Sequence, residues 1–378
     1  MTWLERWLAQ RDRLLANPRF RRWAAAFPFT RPIARRRARE LFDLCAGFVY
    51  TQVLLTCVRL DLFEKLAAGP HSAAALATKL GLSADATSRL MEAAISLRLV
   101  ERRGDRFALG PLGAPMVGNA AIVAMVEHHA LLYADLHDPV ALLRGAGPRT
   151  GLAQYWSYAN AERPDELEAE RVSAYTRLMS ASQSLVADEI LDAYPMRRHR
   201  CLLDVGGGDG TFLLAAAARS STLRVTLFDL PAVAERARAR FAAAGIADRA
   251  RAVGGNFHAE PLPSGADIVA LVRVIHDHND TEALALLRAA RRALPPGGTL
   301  LLAEPMADTP GAEAMGGAYF GFYLLAMGQG RPRTPSELGG MLHAAGFGRV
   351  RPVATHLPLQ TRLLVAQAMT DRHTVKKY

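Results

Sequence analysis

The sequence predicts an α/β protein in which a parallel sheet occupies the C-terminal half and a mostly helical region precedes it. Two observations carry this prediction. From about residue 197 onward, short apolar runs alternate with longer helical runs, which is typical of a parallel sheet covered by helices on both faces. The first apolar run, 201–205, leads directly into the glycine-rich turn 206–210 and then into an Ala/Leu-rich helical run.

The strands of the sheet are placed by their apolar runs and by the turns that bound them. The predicted parallel strands are 201–205, 224–229, a short one at 251–253, 267–274 and 299–304. Residues 350–357 and 362–368 are predicted to form a final antiparallel pair. Ligands of open α/β sheets bind beyond the carboxyl ends of the strands, so we expect the functional residues where these strands end.

The length of 378 residues is long for one domain and fits two. Residues 168–194 have the periodicity of one long helix, which we place in a helical linker. The four predicted segments are a basic amphipathic arm at 1–40, a winged-helix domain at 41–117, the helical linker at 118–196 and the α/β domain at 197–378.

The winged-helix prediction depends on a helix–turn–helix pattern followed by a hairpin. Gly81 ends the first helix, Ser83 caps the second, and residues 99–109 form a hairpin around Gly104. Such a domain can bind DNA. The second helix, 84–97, carries Arg89 as its only cation, whereas DNA reading needs several basic or amide side chains. We therefore expect no nucleic-acid partner.

The N-terminal arm interleaves aromatic and basic side chains. Trp3 and Trp7 fall on one helical face, Trp23 and Phe27 follow, and arginines separate them. This pattern is typical of a helix that lies on a membrane surface. It also fits a dimer arm whose apolar face packs on a partner subunit, and both interpretations stay open.

The composition of the chain indicates its cellular compartment. The formal net charge of +10 favours contact with anionic surfaces. Cys45, Cys57 and Cys201 lie in apolar contexts without a C-x-x-C pair, so we expect buried thiols in a reducing compartment. No signal peptide is evident, and the apolar stretch 45–58 is too short and too polar to span a bilayer. The expected localisation is cytoplasmic.

The glycine turn excludes two common nucleotide sites. A dinucleotide fingerprint needs a third glycine where this chain has Thr211, and a P-loop needs a lysine that this turn lacks. The turn carries two carboxylates instead, Asp204 and Asp209. Carboxylates repel phosphate but suit a ligand with a cationic amino-acid end, such as S-adenosylmethionine.

A second feature supports a ribose-containing ligand. Asp229 ends the predicted strand 224–229, and it lies 21 residues beyond Gly208. An acidic residue about 20 residues beyond the glycines is where a ribose diol is held in dinucleotide-binding folds.

A histidine provides the candidate for proton transfer. His276 directly follows the apolar run 268–275, at a predicted carboxyl end. Its ordinary pKa near neutrality suits a general base, and a neighbouring acid can orient the imidazole. His128, His129 and His137 lack a surrounding ligand set, so we expect no metal site.

Three motifs together resemble those of the S-adenosylmethionine-dependent O-methyltransferases of the plant caffeate and flavonoid type and their bacterial relatives. They are D-V-G-G-G-x-G at 204–210, F-D-L-P at 228–231 and R-V-I-H-D-H-N-D at 273–280. The resemblance covers residues 41–369, and within the family it is closest to the bacterial carotenoid-hydroxyl methyltransferases of purple phototrophs. Those enzymes act on demethylspheroidene and hydroxyneurosporene.

The resemblance implies a Rossmann-like seven-stranded methyltransferase domain preceded by a winged-helix dimerisation domain. It implies a homodimer with S-adenosylmethionine as cofactor, methylating the tertiary hydroxyl of an acyclic carotenoid in carotenoid biosynthesis. Contact with the inner membrane would follow from that acceptor. A bacteriochlorophyll precursor or an aromatic hydroxyl is an alternative acceptor, and a winged-helix DNA-binding protein that senses the cofactor is a third interpretation.

The resemblance also assigns roles to individual residues. His276 is the expected catalytic base, with Glu304 and Asp277 as acidic partners, and Pro332 stands where the family has a second acid. His278 replaces the usual Trp, and Asn256 replaces an Asp. The expected cofactor-binding residues are Asp204, Gly206, Gly208, Asp229, Leu230, Asn256, Phe257 and Arg273. The expected substrate-lining residues are Tyr175 and Met179.

Overall fold

The computed structural model describes residues 2–146, 149–156 and 183–370, and it divides the chain into two compact units, Met1–Asn119 and Ala120–Tyr378. Tyr175 and Met179, and most of the predicted helix 168–194, lie outside the described residues. The remainder of that segment, 183–193, is helical, and we label it α10.

The first unit is mostly helical with a small sheet. Its helices are α1 Trp3–Ala16, α2 Pro18–Ala26, α3 Arg31–Arg59, α4 Leu62–Ala67, α5 Ala73–Leu80 and α6 Ala84–Ser96. Its strands are β1 His71–Ser72, β2 Val100–Arg103 and β3 Arg106–Leu109, antiparallel in the order β1-β3-β2. The predicted caps are confirmed, since Gly81 is left-handed at φ 64° and the Ser83 side chain accepts the N–H of Ala86.

Helix α3 is longer than its apolar stretch predicts. It begins at Arg31 and continues through the predicted boundary at residue 40 without a break. Its apolar part is long and apolar enough to cross a membrane by length and composition, a test that core helices also pass. The helix Arg31–Arg59 thus extends well beyond the apolar stretch 45–58, which by itself is too short to span a bilayer. Cys45 on this helix is exposed rather than buried, because its surroundings lie uncovered in the single chain.

The second unit begins with helices and continues into the sheet. Its helices before the sheet are α7 Ala120–Asp135, α8 Pro139–Leu143, α9 Gly151–Trp156 and α10. The strands are β4 Cys201–Val205, β5 Arg224–Asp229, β6 Ala250–Gly254, β7 Ile268–Val272, β8 Thr299–Glu304, β9 Phe347–Val353 and β10 Arg362–Ala368. The helices among them are α11 Thr211–Arg219, α12 Pro231–Ala243, α13 Asp280–Ala293, α14 Phe320–Met327 and α15 Pro335–Ala344.

The sheet has seven strands in the order β6-β5-β4-β7-β8-β10-β9. The first five are parallel, and β10 runs antiparallel to both β8 and β9. The predicted fold class is confirmed, although β9 begins at Phe347 and ends at Val353 instead of occupying 350–357. Both faces of the sheet are covered, since one set of core side chains includes Leu203, Leu271 and Leu302 and the other includes Leu202, Ala270 and Leu301.

Candidate active site

The predicted site residues in the described part of the chain meet along one edge of the sheet. The glycine turn follows β4, Asp229 ends β5, Asn256 follows β6, His276 follows β7 and Glu304 ends β8. These five strands are adjacent and parallel, so their carboxyl ends lie side by side. The candidate residues therefore form one site, although long stretches of sequence separate them.

Both carboxylate oxygens of Asp229 accept backbone N–H groups, one of which belongs to the glycine turn. Its Oδ2 accepts the N–H of Gly208 at 2.8 Å, and its Oδ1 accepts the N–H of Leu230 at 2.7 Å. Gly208 is left-handed at φ 62°, and a Cβ added there would meet no atom within 4 Å. At Gly208 the turn therefore presents bare backbone towards open space. Each carboxylate oxygen has a further lone pair with which to accept a hydroxyl proton.

The protonation of Asp229 depends on its burial. Removal from water raises the pKa of Asp229 to about 6, against the opposing effect of the two backbone N–H groups. The carboxylate form, which accepts hydrogen bonds at both oxygens, therefore dominates above about pH 6.

The two carboxylates of the turn, Asp204 and Asp209, have surroundings that differ from those of Asp229. Asp204 is fully buried beneath the turn, and a Cβ on Gly207 would lie 2.2 Å from its Oδ2. Burial, and then the charge of Asp229, raise the pKa of Asp204 well above its ordinary value, which favours the neutral acid. Asp209 forms an ion pair with Arg240 and accepts the hydroxyl of Thr211 at 2.7 Å. Direct contact between Asp204 and a ligand stays a prediction.

The segment after β6 is aromatic and polar. Asn256 is exposed, and its Oδ1 accepts the N–H of His258 at 2.9 Å. The ring of Phe257 packs on two imidazoles, with centroids 4.6 Å from His258 and 5.4 Å from His278. His278 thus supplies a flat ring at the position where the family usually has Trp.

His276 is buried between two carboxylates. Its Nδ1 bonds to Oε2 of Glu304, and its Nε2 lies 3.1 Å from Oδ1 of Asp277. Glu304 is 2% exposed, and its Oε1 accepts the N–H groups of Val274 at 3.0 Å and Ile275 at 2.7 Å. The carboxylate of Glu304 therefore fixes both the imidazole and the backbone that carries it. A proton on Nδ1 leaves the lone pair of the neutral ring on Nε2.

Opposing effects set the basicity of His276. Burial lowers the pKa of His276, but Asp277 and Glu304 outweigh burial and raise it above its ordinary value of 6.5. Arg273 acts in the opposite direction and moderates this increase. Arg273 itself has a left-handed backbone at φ 58°, and its N–H donates to the carbonyl of Ala303 at 2.8 Å. Burial raises the pKa of Asp277 to about 6.

The segment around Pro332 hydrogen-bonds to the backbone of residues 275–278, the loop that carries His276. The N–H of Arg331 donates to the carbonyl of His276 at 3.0 Å. Arg333 is only 2% exposed, and its guanidinium donates to the carbonyls of Ile275 and His278 at 2.8 Å each. The segment that supplies a second acid in the family therefore clamps the backbone here. Sequence reasoning missed Arg333, whose only local signal is a pair of arginines flanking Pro332.

An aromatic cluster beside His276 was also missed. The ring of Phe320 lies 5.9 Å from the imidazole of His276, and Tyr319 and Tyr323 pack around Phe320. The hydroxyl of Tyr323 bonds to Nε2 of His128 at 2.8 Å, and the hydroxyl of Tyr319 bonds to Nε2 of His129 at 2.8 Å. Burial, and then the neighbouring His129, lower the pKa of His128 to about 4.

Comparison with known proteins identifies the family. Residues 133–348 match the model of the O-methyltransferase domain, and residues 42–118 match the O-methyltransferase dimerisation domain. The demethylspheroidene O-methyltransferase of Cereibacter sphaeroides is 40% identical over 340 residues, 90% of this chain and 89% of that protein. The enzyme of the same name from Rhodobacter capsulatus is 38% identical over 90% of this chain and 84% of its own length.

The chain belongs to the S-adenosylmethionine-dependent O-methyltransferases. Solved structures agree with this assignment. The crystal structure of CalO1, a methyltransferase in calicheamicin biosynthesis in its SAH-bound form, is 26% identical with a TM-score of 0.72. It covers 88% of this chain, and 98% of its own length is matched.

The residues of the methyltransferase fit S-adenosylmethionine on structural grounds. The turn at Gly208 is open, carries no cationic side chain for phosphate, and adjoins the carboxylate of Asp229. We propose that Asp229 holds the ribose, that the backbone of Gly206 and Gly208 borders the amino-acid end, and that Phe257 packs on the adenine. The remaining predicted contacts, Leu230, Asn256 and Arg273, lie at the ends of the same strands. Among the described residues, no group of three or more His, Cys, Asp or Glu side chains could hold a metal ion.

Replacing Asp229 should weaken cofactor binding. In Asp229→Ala both ribose contacts are lost, and hydrogen bonds to a charged group contribute roughly 1.5–3 kcal/mol. Calorimetry at pH 7.5 should show that loss, whereas Asp188→Ala on the exposed face of α10 should bind as the wild type does. Because the pKa of Asp229 is about 6, wild-type affinity should also fall as the pH drops below 6. Unchanged affinity in Asp229→Ala would place the ribose elsewhere.

Proposed function

We propose that this enzyme methylates the tertiary hydroxyl of an acyclic carotenoid of the demethylspheroidene or hydroxyneurosporene kind, in carotenoid biosynthesis. The observation that carries the proposal is the similarity to two demethylspheroidene O-methyltransferases, 40% and 38% identical, across nine-tenths of the chain. An acceptor of this kind is a long hydrocarbon with one polar end, so its site needs an apolar wall close to the base.

The aromatic cluster of Tyr319, Phe320 and Tyr323 suits that requirement. Both tyrosine hydroxyls are engaged by imidazoles on α7, at 2.8 Å each. A tyrosine whose hydroxyl already has a partner offers only its ring to a ligand. Phe320, which has no polar atom, is the member of the cluster in edge-to-face contact with His276. The cluster thus combines an apolar surface with immediate access to the candidate base.

In the proposed mechanism, His276 removes the hydroxyl proton. S-adenosylmethionine, when bound, would supply a methyl group on a sulfonium, from which the attacking oxygen would displace a neutral thioether as the carbon–sulfur bond breaks. Nε2 of His276 accepts the proton from the acceptor hydroxyl, while Glu304 holds Nδ1 and stabilises the positive charge that develops on the ring. Asp277, with its Oδ1 3.1 Å from Nε2, adds negative charge on the side where the proton arrives.

The weak acidity of a tertiary alcohol determines the timing of proton transfer. An imidazole cannot ionise such an alcohol in advance, so the proton moves as the carbon–oxygen bond forms. A base with a raised pKa is favourable for this step, and Asp277 and Glu304 raise the pKa of His276. The rest of the enzyme's contribution is to align the oxygen with the methyl group.

The working form is proposed to be a homodimer that visits the cytoplasmic surface of the inner membrane. The match to the dimerisation domain spans residues 42–118. The middle of α3 presents an apolar face that this single chain leaves uncovered. Its exposed members are Leu41, Phe42, Leu44, Phe48 and Val49. A carotenoid acceptor resides in the bilayer, so the enzyme must reach it at the membrane surface.

An acceptor panel tests the proposed function. The purified enzyme with methyl-labelled S-adenosylmethionine should transfer label to hydroxylated acyclic carotenoids in detergent micelles. Flavonoid phenols and hydroxylated bacteriochlorophyll precursors should be poor acceptors at matched concentration. Label on the phenol or on the tetrapyrrole, with none on the carotenoid, would contradict the proposal and favour the corresponding alternative.

A further inference from the structure

We propose that residues 2–36 form a docking surface for anionic lipid headgroups, distinct from the apolar face of α3 that pairs with a second copy. From here on the arm means these residues, a shorter range than the segment 1–40 predicted from the sequence. This proposal rests on the proposed function, because a carotenoid acceptor is what requires the enzyme to visit a bilayer. Its physical support comes from the charge and exposure of the arm itself.

The charge of the chain is concentrated in and next to the arm. Residues 1–40 contain eleven arginines and three carboxylates, a net charge of +8 out of +10 for the whole chain. The remaining 338 residues are thus nearly neutral overall. A charge so localised attracts a surface of opposite sign, and each basic residue near an anionic membrane contributes about 1 kcal/mol.

The arm also exposes aromatic rings among these arginines. Neither α1 nor α2 has a buried residue, and Trp3 and Phe29 are 80% and 84% exposed. Trp23 lies between two phenylalanines, with centroids 5.6 Å from Phe20 and 5.1 Å from Phe27. Indole and phenyl rings beside cations suit the headgroup region of a bilayer, where the rings lie at the acyl boundary and the guanidinium groups meet phosphate.

Exposed aliphatic side chains favour lipid over nucleic acid as the occupant. Leu4, Leu14 and Ile33 are each about half exposed within the same segment. A phosphodiester backbone offers these side chains no apolar surface, whereas the acyl region beneath lipid headgroups does. The combination of cations, rings and aliphatic groups therefore matches a membrane interface.

The middle of α3 has a different chemistry. From residue 41 to residue 58 the only charged side chain is Asp43, and this stretch lies almost wholly within the matched dimerisation domain. An uncharged apolar helix face of this kind suits a second copy of the same chain. The arm precedes the matched region and carries the arginines, so the two surfaces have separate occupants.

The experiment compares vesicle binding of the full-length protein with that of two charge variants. Vesicles contain phosphatidylglycerol and phosphatidylcholine, or phosphatidylcholine alone. The arm variant combines Arg19→Gln, Arg21→Gln and Arg22→Gln. The control combines Arg59→Gln, Arg288→Gln and Arg351→Gln, which remove the same charge from exposed positions outside the arm.

The wild type and the control should co-sediment with the anionic vesicles and dissociate as salt rises. The arm variant should bind on the order of 100-fold more weakly, at roughly fivefold per arginine. A second variant with Trp3→Ala and Trp7→Ala should also bind more weakly but keep its salt dependence. All variants should remain dimers and bind S-adenosylmethionine normally.

Four results would overturn the inference. The arm and control variants could weaken binding equally, or the arm variant could lose the dimer. The wild type could prefer an oligonucleotide to the vesicles, or its binding could resist both salt and alkaline carbonate, which would indicate insertion of α3. Failure of the proposed function would look different. Carotenoid in detergent would then go unmethylated while vesicle binding behaved as expected.

Discussion

His276→Ala should fold, bind S-adenosylmethionine and lose most of its turnover. The imidazole is held by Glu304 with its Nε2 as the remaining acceptor, so its removal takes away the nitrogen that accepts the hydroxyl proton in the proposed mechanism. Loss of a general base typically lowers the rate by about 10²–10⁴-fold. Single-turnover measurements on the proposed acceptor should show this fall in the chemical step, while calorimetry should show cofactor affinity close to that of the wild type.

A matched control separates catalysis from folding. His343→Ala removes another imidazole of the same unit. His343 lies on α15, and its Nδ1 is 3.1 Å from the carbonyl oxygen of Phe347 on β9. That variant should retain turnover near the wild-type rate. If His276→Ala also retained it, the proton would have to leave by another group, and Asp277 would be the first to examine.

Glu304→Gln should impair the enzyme nearly as much while changing the volume of the side chain little. The amide oxygen can still accept the N–H groups of Val274 and Ile275, so the NH₂ group is left facing Nδ1 of His276. Nδ1 must then accept, which places the proton of the neutral ring on Nε2, where the acceptor hydroxyl needs a lone pair. The analogous change in a serine protease triad lowers kcat by about 10⁴-fold, and we expect a loss on the order of 10²–10⁴-fold here.

The pH dependence of Glu304→Gln provides an independent check. Asp277 and Glu304 both raise the pKa of His276, so wild-type turnover should increase with pH and reach half its maximum above pH 6.5. Removing the charge of Glu304 destabilises the imidazolium, and the acidic limb of the residual activity should move to lower pH. A limb that stays in place, or an unchanged rate, would contradict the contact between Glu304 and the base.

The fold was largely predictable because its signals are local. The glycine turn, Asp229 at a strand end and His276 after an apolar run each lie within a few residues of the pattern that predicts them. The topology then brings them together, since ligands of parallel α/β sheets bind at one edge. The caps at Gly81 and Ser83 were predictable for the same reason.

The parts that the sequence did not predict depend on distant contacts. Tyr323 and His128 are 195 residues apart, and no short pattern marks them as partners. Arg333 is fully desolvated only because the chain after α14 returns over the loop of His276. The surroundings of Asp204 are also tertiary, because the turn folds back over its own strand and buries the carboxyl.

The unbroken course of α3 has a consequence for avidity. With 29 residues the helix is about 43 Å long, and it joins residues 31–36 of the arm to the apolar face without a break. A dimer formed through α3 therefore carries two arms on one framework. In the proposed docking on lipid, once the first arm engaged the surface the second would be held at high effective concentration, and two individually weak attachments would give a long residence time. Residence on a membrane would then depend steeply on the concentration of the protein, through its assembly.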